Sequence, residues 1–159
     1  MEKLAFPNMK PLAGVKLGAV ACGINYKDRH DLFMAELEPG TAIAGVFTRS
    51  RTAAAPVLWC RENIAGGRVR AIVANAGNAN AFTGRHGMET VRETVARAAT
   101  LMGCPRKQIF VASTGSIGVP FPAETIPDKL PALKKSTKRD NWLTAAKAIM
   151  TTDSVPKGA

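Results

Sequence analysis

The sequence predicts an α+β fold, on three observations. Short apolar, β-branched runs cluster in residues 15–74, a longer stretch with helical spacing follows them, and glycine, proline or charged turns separate the segments. The chain has 159 residues, 46% hydrophobic and 21% charged, which is enough for one domain with a real core and too little for two comfortable ones. We therefore expect a single domain over 1–159, with no internal boundary, repeat or low-complexity linker.

In chain order, alternation and β-branching mark strands near Val15–Cys22, Leu32–Leu37, Ala42–Thr48, Pro56–Cys60, Val69–Ala74 and Ile109–Ala112. Between Gly87 and Gly103 the apolar residues Val91, Val95, Ala98 and Met102 recur at helical spacing. Glu89 and Glu93 lie early in that stretch, and Gly103 stands where a helix ends. A second helix is expected over Asn141–Met150, capped by Asp140, with Trp142, Ala146, Ile149 and Met150 along one face. Between them, Pro120, Pro122, Pro127 and Pro131 predict that any helix is short and broken.

Three stretches are candidates for chemistry. The apolar run VRAIV leads into ANAGNANAFTG at 74–84, where Asn75, Asn78 and Asn80 are separated by alanine and glycine alone. Such a stretch is either a plain turn or a place where a ligand or another segment approaches the backbone closely. The second is Ser113-Thr114-Gly115-Ser116 at a strand end. It is either a bland loop or a set of outward N–H groups suited to an anion or an oxyanion. It lacks the lysine of a P-loop and the GxGxxG of a dinucleotide site. The third, Thr151-Thr152-Asp153 at a helix end, offers either local hydrogen bonding or hydroxyls for a polar substrate.

The formal net charge of +10 raises nucleic acid as a partner. One basic cluster runs from Arg49 to Arg70 and another from Lys129 to Arg139, but only 6% of the chain is aromatic and neither cluster interleaves stacking residues. A solvated basic face or a surface for an acidic partner chain is the preferred reading, with no nucleic acid. Cys22, Cys60 and Cys104 are odd in number and widely spaced, against a disulfide framework. His30 and His86 lie in no metal-ligand spacing, and His86 after TGR reads as a loop residue rather than a base. There is no GxSxG elbow. No secretory signal and no membrane-length apolar run is visible, so a cytoplasmic location is expected.

Five stretches in series resemble one family, ornithine acetyltransferase, also called glutamate N-acetyltransferase, of arginine biosynthesis. They are CGINYKDRHDLFMAEL at 22–37, AGVFTRSRTAAAPV at 44–57, NAGNANAFTG at 75–84, STGSIG at 113–118 and AIMTTDSVPK at 148–157. The resemblance implies the N-terminal part of a layered αββα sandwich of the DmpA-like kind. It implies a precursor that cuts itself before a threonine, whose hydroxyl takes acetyl from N-acetylornithine and passes it to glutamate. Thr114 and Gly115 match the oxyanion-hole pair, Thr151 matches a substrate-contacting position, and Thr152 is its alternative if the register is off by one. The resemblance gives none of Asn75, Asn78 or Asn80 an individual role.

It also implies no cofactor and no metal, acetyl-CoA as a second donor if the enzyme is bifunctional, and a β-chain partner in an α2β2 assembly. The family's cleavage motif is absent from a chain that stops at Pro156-Lys157-Gly158-Ala159. The expectation is that this polypeptide alone has no turnover. The competing readings are a catalytically inactive truncated homologue and a basic ligand- or nucleic-acid-binding module.

Overall fold

The computed structural model describes residues 5–159. At its centre is a four-stranded sheet in the order β1-β2-β3-β4, with β1 at Val15–Val20, β2 at Leu32–Leu37, β3 at Ala71–Asn78 and β4 at Ile109–Ser116. β1 and β2 are antiparallel, as are β2 and β3, whereas β3 and β4 are parallel. Parallel neighbours need a crossover connection, which is supplied here by helix α2, Gly84–Met102. Helices α1 (Ala55–Asn63), α3 (Thr125–Lys135) and α4 (Trp142–Ala148), with two short 3-10 helices at Ile64–Gly66 and Arg106–Gln108, complete the described elements.

Strand side chains alternate between the two faces, and each face has its own cover. Leu32, Met34, Ala71, Val73, Ile109 and Val111 pack in one cluster with Val91, Val95 and Ala98 of α2 and with Leu130 and Leu133 of α3. On the other face Leu17 and Ala35 pack against Ala145, with Phe33, Ile72 and Trp142 alongside. Gly18 lets the end of α3 lie on β1, because a Cβ there would stand 2.6 Å from Ser136 Oγ and 2.9 Å from the Leu133 carbonyl.

The helix expected before Gly103 is α2. Val91, Val95, Ala98 and Met102 are all buried, and Gly103 closes the helix at φ 60° by donating to the carbonyls of Ala99 and Thr100. It begins at Gly84 rather than Gly87, so His86 lies in its first turn and not in a loop. Other expectations are corrected more deeply. Pro56–Cys60 is part of α1: Pro56 stands at the helix start, where its missing N–H is not needed, and a short apolar run does not separate strand from helix. Ala42–Thr48 forms no strand beyond an isolated bridge from Ala42 to Arg68, and Val46 is 99% exposed.

The proline-rich stretch contains the unbroken 11-residue helix α3. Pro127 sits in the first turn, where N–H groups have no partner anyway. Pro131 removes one bond, while Leu130 and Leu133, both fully buried, hold the helix to the sheet. α4 is shorter than expected. Asn141 stands at its N-terminus in place of Asp140 and donates its side-chain amide to the Leu17 carbonyl, and Ala145 and Ala148 face inward while Ile149 is exposed. β1 stops at Val20 because Cys22 turns its N–H to Asp31.

One ion pair ties α3 to the sheet. Lys134 Nζ lies 2.9 Å from Glu36 Oε1, and Thr137 donates to Glu36 Oε2 at 2.9 Å. Burial alone would push the Glu36 carboxyl up, but the bonds from Lys134 and Thr137 outweigh it and hold the group below its ordinary value of 4.5. A lowered folded-state pKa adds stability that is complete above the unfolded value and lost as pH falls through the folded one. Denaturant midpoints measured from neutral to acid pH are therefore expected to fall less steeply in Glu36→Gln than in the wild type. Parallel curves would remove this pair from the acid dependence.

Candidate active site

The sequence raises the question of why a strand should empty into three asparagines. The strand does not empty there: β3 continues through Asn78, and its asparagines are 2–3% exposed. Each amide has a definite partner. Asn75 donates to the Asn78 carbonyl at 2.9 Å and accepts from Ser113 Oγ at 2.6 Å, which links β3 to β4 through side chains. Asn78 donates to the Val119 carbonyl at 2.7 Å, and its side-chain oxygen accepts the Asn80 N–H at 2.7 Å. Asn80, at φ 47°, donates to the Gly87 carbonyl at 2.9 Å and accepts from Thr83 Oγ1 at 2.7 Å, fixing the entry to α2. Asparagine tolerates that left-handed conformation and brings its own donors and acceptor to it.

The same strand pair brings two backbones into contact. Gly77 stands opposite Gly115, with a bulge at Gly77/Asn78. A Cβ on Gly115 would lie 2.3 Å from the Gly77 carbonyl carbon and 2.5 Å from Asn78 N, and φ is +133°. Gly77, at φ +96°, leaves room in turn for Asn25 and the Tyr26 ring, which a Cβ would meet at 2.8 and 3.2 Å. Both positions demand glycine on space and on conformation.

Exposure changes along β4. Ile109, Phe110 and Val111 are buried, while Thr114, Gly115 and Ser116 are exposed on the outer strand of the sheet. Expected oxyanion residues thus stand at an open strand end held by a buried polar network. Thr151 and Thr152 lie in the loop after α4, half-buried and exposed respectively, and no hydrogen bond joins them to Thr114 or Gly115 among the described residues. A longer connection exists. The Arg29 guanidinium lies 4.3 Å from the centre of the Tyr26 ring, which itself packs on Gly77, and it donates to the carbonyls of Lys147 and Met150 just before Thr151. Beside it Lys157 pairs with Asp153, and that contact holds the Asp153 carboxyl below its usual range.

Two residues here were not singled out in the sequence. Arg29 has no local signal, because its partners are 118 and 121 positions away. Asp31, fully buried, accepts N–H bonds from Cys22, Gly23 and Ile24, and an acid at the entry to an apolar strand was the available clue. His86 Nε2 is committed to the Phe121 carbonyl at 2.7 Å. The three cysteines are free, and burial, with the Asp31 charge adding to it, pushes the Cys22 thiol up to about 12. Among the described residues no three His, Cys, Asp or Glu side chains are grouped so as to hold a metal ion, and no helix is long and apolar enough to cross a membrane.

A model of the ArgJ family matches residues 16–159. The chain belongs to the ArgJ family. The arginine biosynthesis bifunctional protein ArgJ of Gluconobacter oxydans is 47% identical to it over 153 residues, which is 96% of this chain and 36% of that protein. Its counterpart from Bradyrhizobium diazoefficiens is 48% identical over 96% of this chain and 37% of its own length. The chain therefore spans little more than a third of these ArgJ relatives. A crystal structure of ArgJ from Bacillus halodurans superposes with a TM-score of 0.81 at 31% identity, over 90% of this chain and 75% of that one. The ornithine acetyltransferase of Mycobacterium tuberculosis, solved with ornithine, gives a TM-score of 0.80 at 36% identity over 91% of this chain and 79% of that one. The α+β expectation and the family resemblance are both borne out.

Gly77→Ala and Gly115→Ala are each expected to destabilise the protein by about 1–3 kcal/mol, from clash and strained φ together. Gly66, whose Cβ would meet nothing within 4 Å, is the control, and its alanine variant should stay within about 0.5 kcal/mol of the wild type. Chemical denaturation checks all three.

Proposed function

We propose that this chain provides the oxyanion-binding part of a glutamate N-acetyltransferase that moves acetyl from N-acetylornithine to glutamate. The observation that carries the reading is ArgJ-family membership over residues 16–159, with Thr114 and Gly115 standing at the exposed end of β4. Ornithine in the M. tuberculosis structure supports the choice of substrate.

In this reading the nucleophile is a threonine hydroxyl on a downstream part of the protein, outside the 36% that this chain spans in its G. oxydans relative. Its oxygen adds to the acetyl carbonyl, and the carbonyl electron pair moves onto oxygen. We assign the Thr114 hydroxyl and the Gly115 N–H as donors to that oxyanion, since they cost no reorganisation when charge develops. Collapse breaks the C–N bond, and ornithine leaves once its nitrogen takes the proton that the threonine hydroxyl gave up. The amine of glutamate then adds to the acyl-enzyme, the second oxyanion collapses with cleavage of the C–O bond to threonine, and a proton from the amine restores the threonine hydroxyl. Thr151 and Thr152 are assigned to contact substrate, next to the carbonyls that Arg29 holds. The scheme needs no metal or cofactor. Acetyl-CoA is proposed as a second donor, in keeping with the word bifunctional in the relatives' names.

The partner in this reading is the threonine-led chain of the same precursor, in a cytoplasmic α2β2 assembly. Phe82, Ile117 and Val119 support such a cover, being 69%, 63% and 53% exposed in the two segments that Gly118 N joins to the Ala81 carbonyl.

Thr114→Ala in the full-length protein is expected to lower kcat by about 10²–10³ with little change in KM. Because Thr114 is exposed, the fold should be unaffected. Unchanged kcat would sink the oxyanion assignment. Intact-mass analysis of protein purified from its native cells should find a second, co-purifying chain that begins with threonine. The 159-residue chain found alone would favour an inactive homologue.

A further inference from the structure

Between α2 and the β3–β4 pair lies a cavity of about 10 Å³, close to the space that one water molecule needs. Its wall includes Asn75 and Ser113 from the strands and Thr90 and Thr94 from α2. Thr94 is 3% exposed, and its Oγ1 is buried without a hydrogen-bond partner. Buried hydroxyls are rarely left in that state, because losing water without gaining a partner costs free energy. Thr90, one turn earlier, satisfies its hydroxyl by donating to the His86 carbonyl at 3.1 Å. Thr94 makes no such bond.

We infer that one ordered water fills this cavity and is the missing partner of Thr94. The polar groups around it have the right spare capacity. Ser113 directs its proton to Asn75 Oδ1, and Thr90 directs its proton to His86, so both oxygens keep lone pairs that can accept from a water. Thr94 can donate to the water oxygen, and the second amide hydrogen of Asn75 can do the same. A water bonded in this way meets the two to four polar partners such sites require. It links α2 to the two strands through Ser113, the residue before Thr114, and so makes the support of the strand end continuous with the crossover helix. The inference rests on the cavity and the orphan hydroxyl, independently of the reaction proposed above.

A crystal structure of the full-length protein, at a resolution where ordered water is visible, tests it directly. The expected result is a density peak about 2.7–3.2 Å from Thr94 Oγ1. An empty cavity, or a Thr94 rotamer that bonds a backbone carbonyl, overturns the inference. Thr94→Val gives a second readout with opposite signs for the two cases. If the water is present, replacing its donor with a methyl group loses a bonded partner, and the unfolding midpoint drops. If the cavity is dry, the same change removes an unpaired polar group and the midpoint rises. A midpoint for Thr94→Val at or above that of the wild type is therefore a negative result.

Discussion

Gly77 and Gly115 face each other across the parallel β3–β4 pair, with no room for one more carbon on Gly115. That contact sets what the neighbouring residues can do. It lets the outer strand run on past Val111 to Ser116 while staying registered to β3, and so places Thr114 at a defined point on an open strand end. A side chain at either glycine would force the strands apart just where the bulge at Gly77/Asn78 already bends them. The positive φ values at both positions point the same way, since only glycine adopts them without strain.

The asparagines solve the problem that the glycine contact creates. A bulged strand end leaves backbone groups that regular pairing does not satisfy, and buried polar groups must find partners somewhere. Asn75 takes the Asn78 carbonyl, Asn78 takes the Asn80 N–H and the Val119 carbonyl, and Asn80 takes the Gly87 carbonyl. The result is a polar network between apolar layers, which rigidifies a site only when every member is satisfied. Among the described residues, Thr94 carries a buried hydroxyl that no such bond satisfies.

Tyr26 and Arg29 extend the same logic outward. The smallness of Gly77 admits the Tyr26 ring, the ring supports the Arg29 guanidinium, and Arg29 holds the carbonyls at the end of α4. One small residue thus connects the strand end to the loop that carries Thr151. Nothing about Gly77 alone announces this, because its neighbours arrive from two distant segments.

Some of this molecule is written in local spacing. α2 could be read from Val91, Val95, Ala98 and Met102, because a helix repeats within a few residues and Gly103 supplies its own stop signal. The stretches around Asn75 and Thr114 also stood out, since runs of small polar residues after apolar ones are unusual wherever they fall. Length and partnership were not legible in the same way. Pro56–Cys60 reads equally well as strand or helix until Trp59 donates to the Ile109 carbonyl and Cys60 to that of Val111, some fifty residues on. The prolines before Arg139 predicted a broken helix, yet burial of Leu130 and Leu133 outweighed the one bond that Pro131 removes. The extent of β3 and β4 was decided by each other, through Asn75 with Ser113 and Gly77 with Gly115, pairs 38 positions apart. Residue types and their spacing fix which chemistry is available. Only packing between remote segments decides which of those groups are consumed as supports and which, like Thr114, are left facing out.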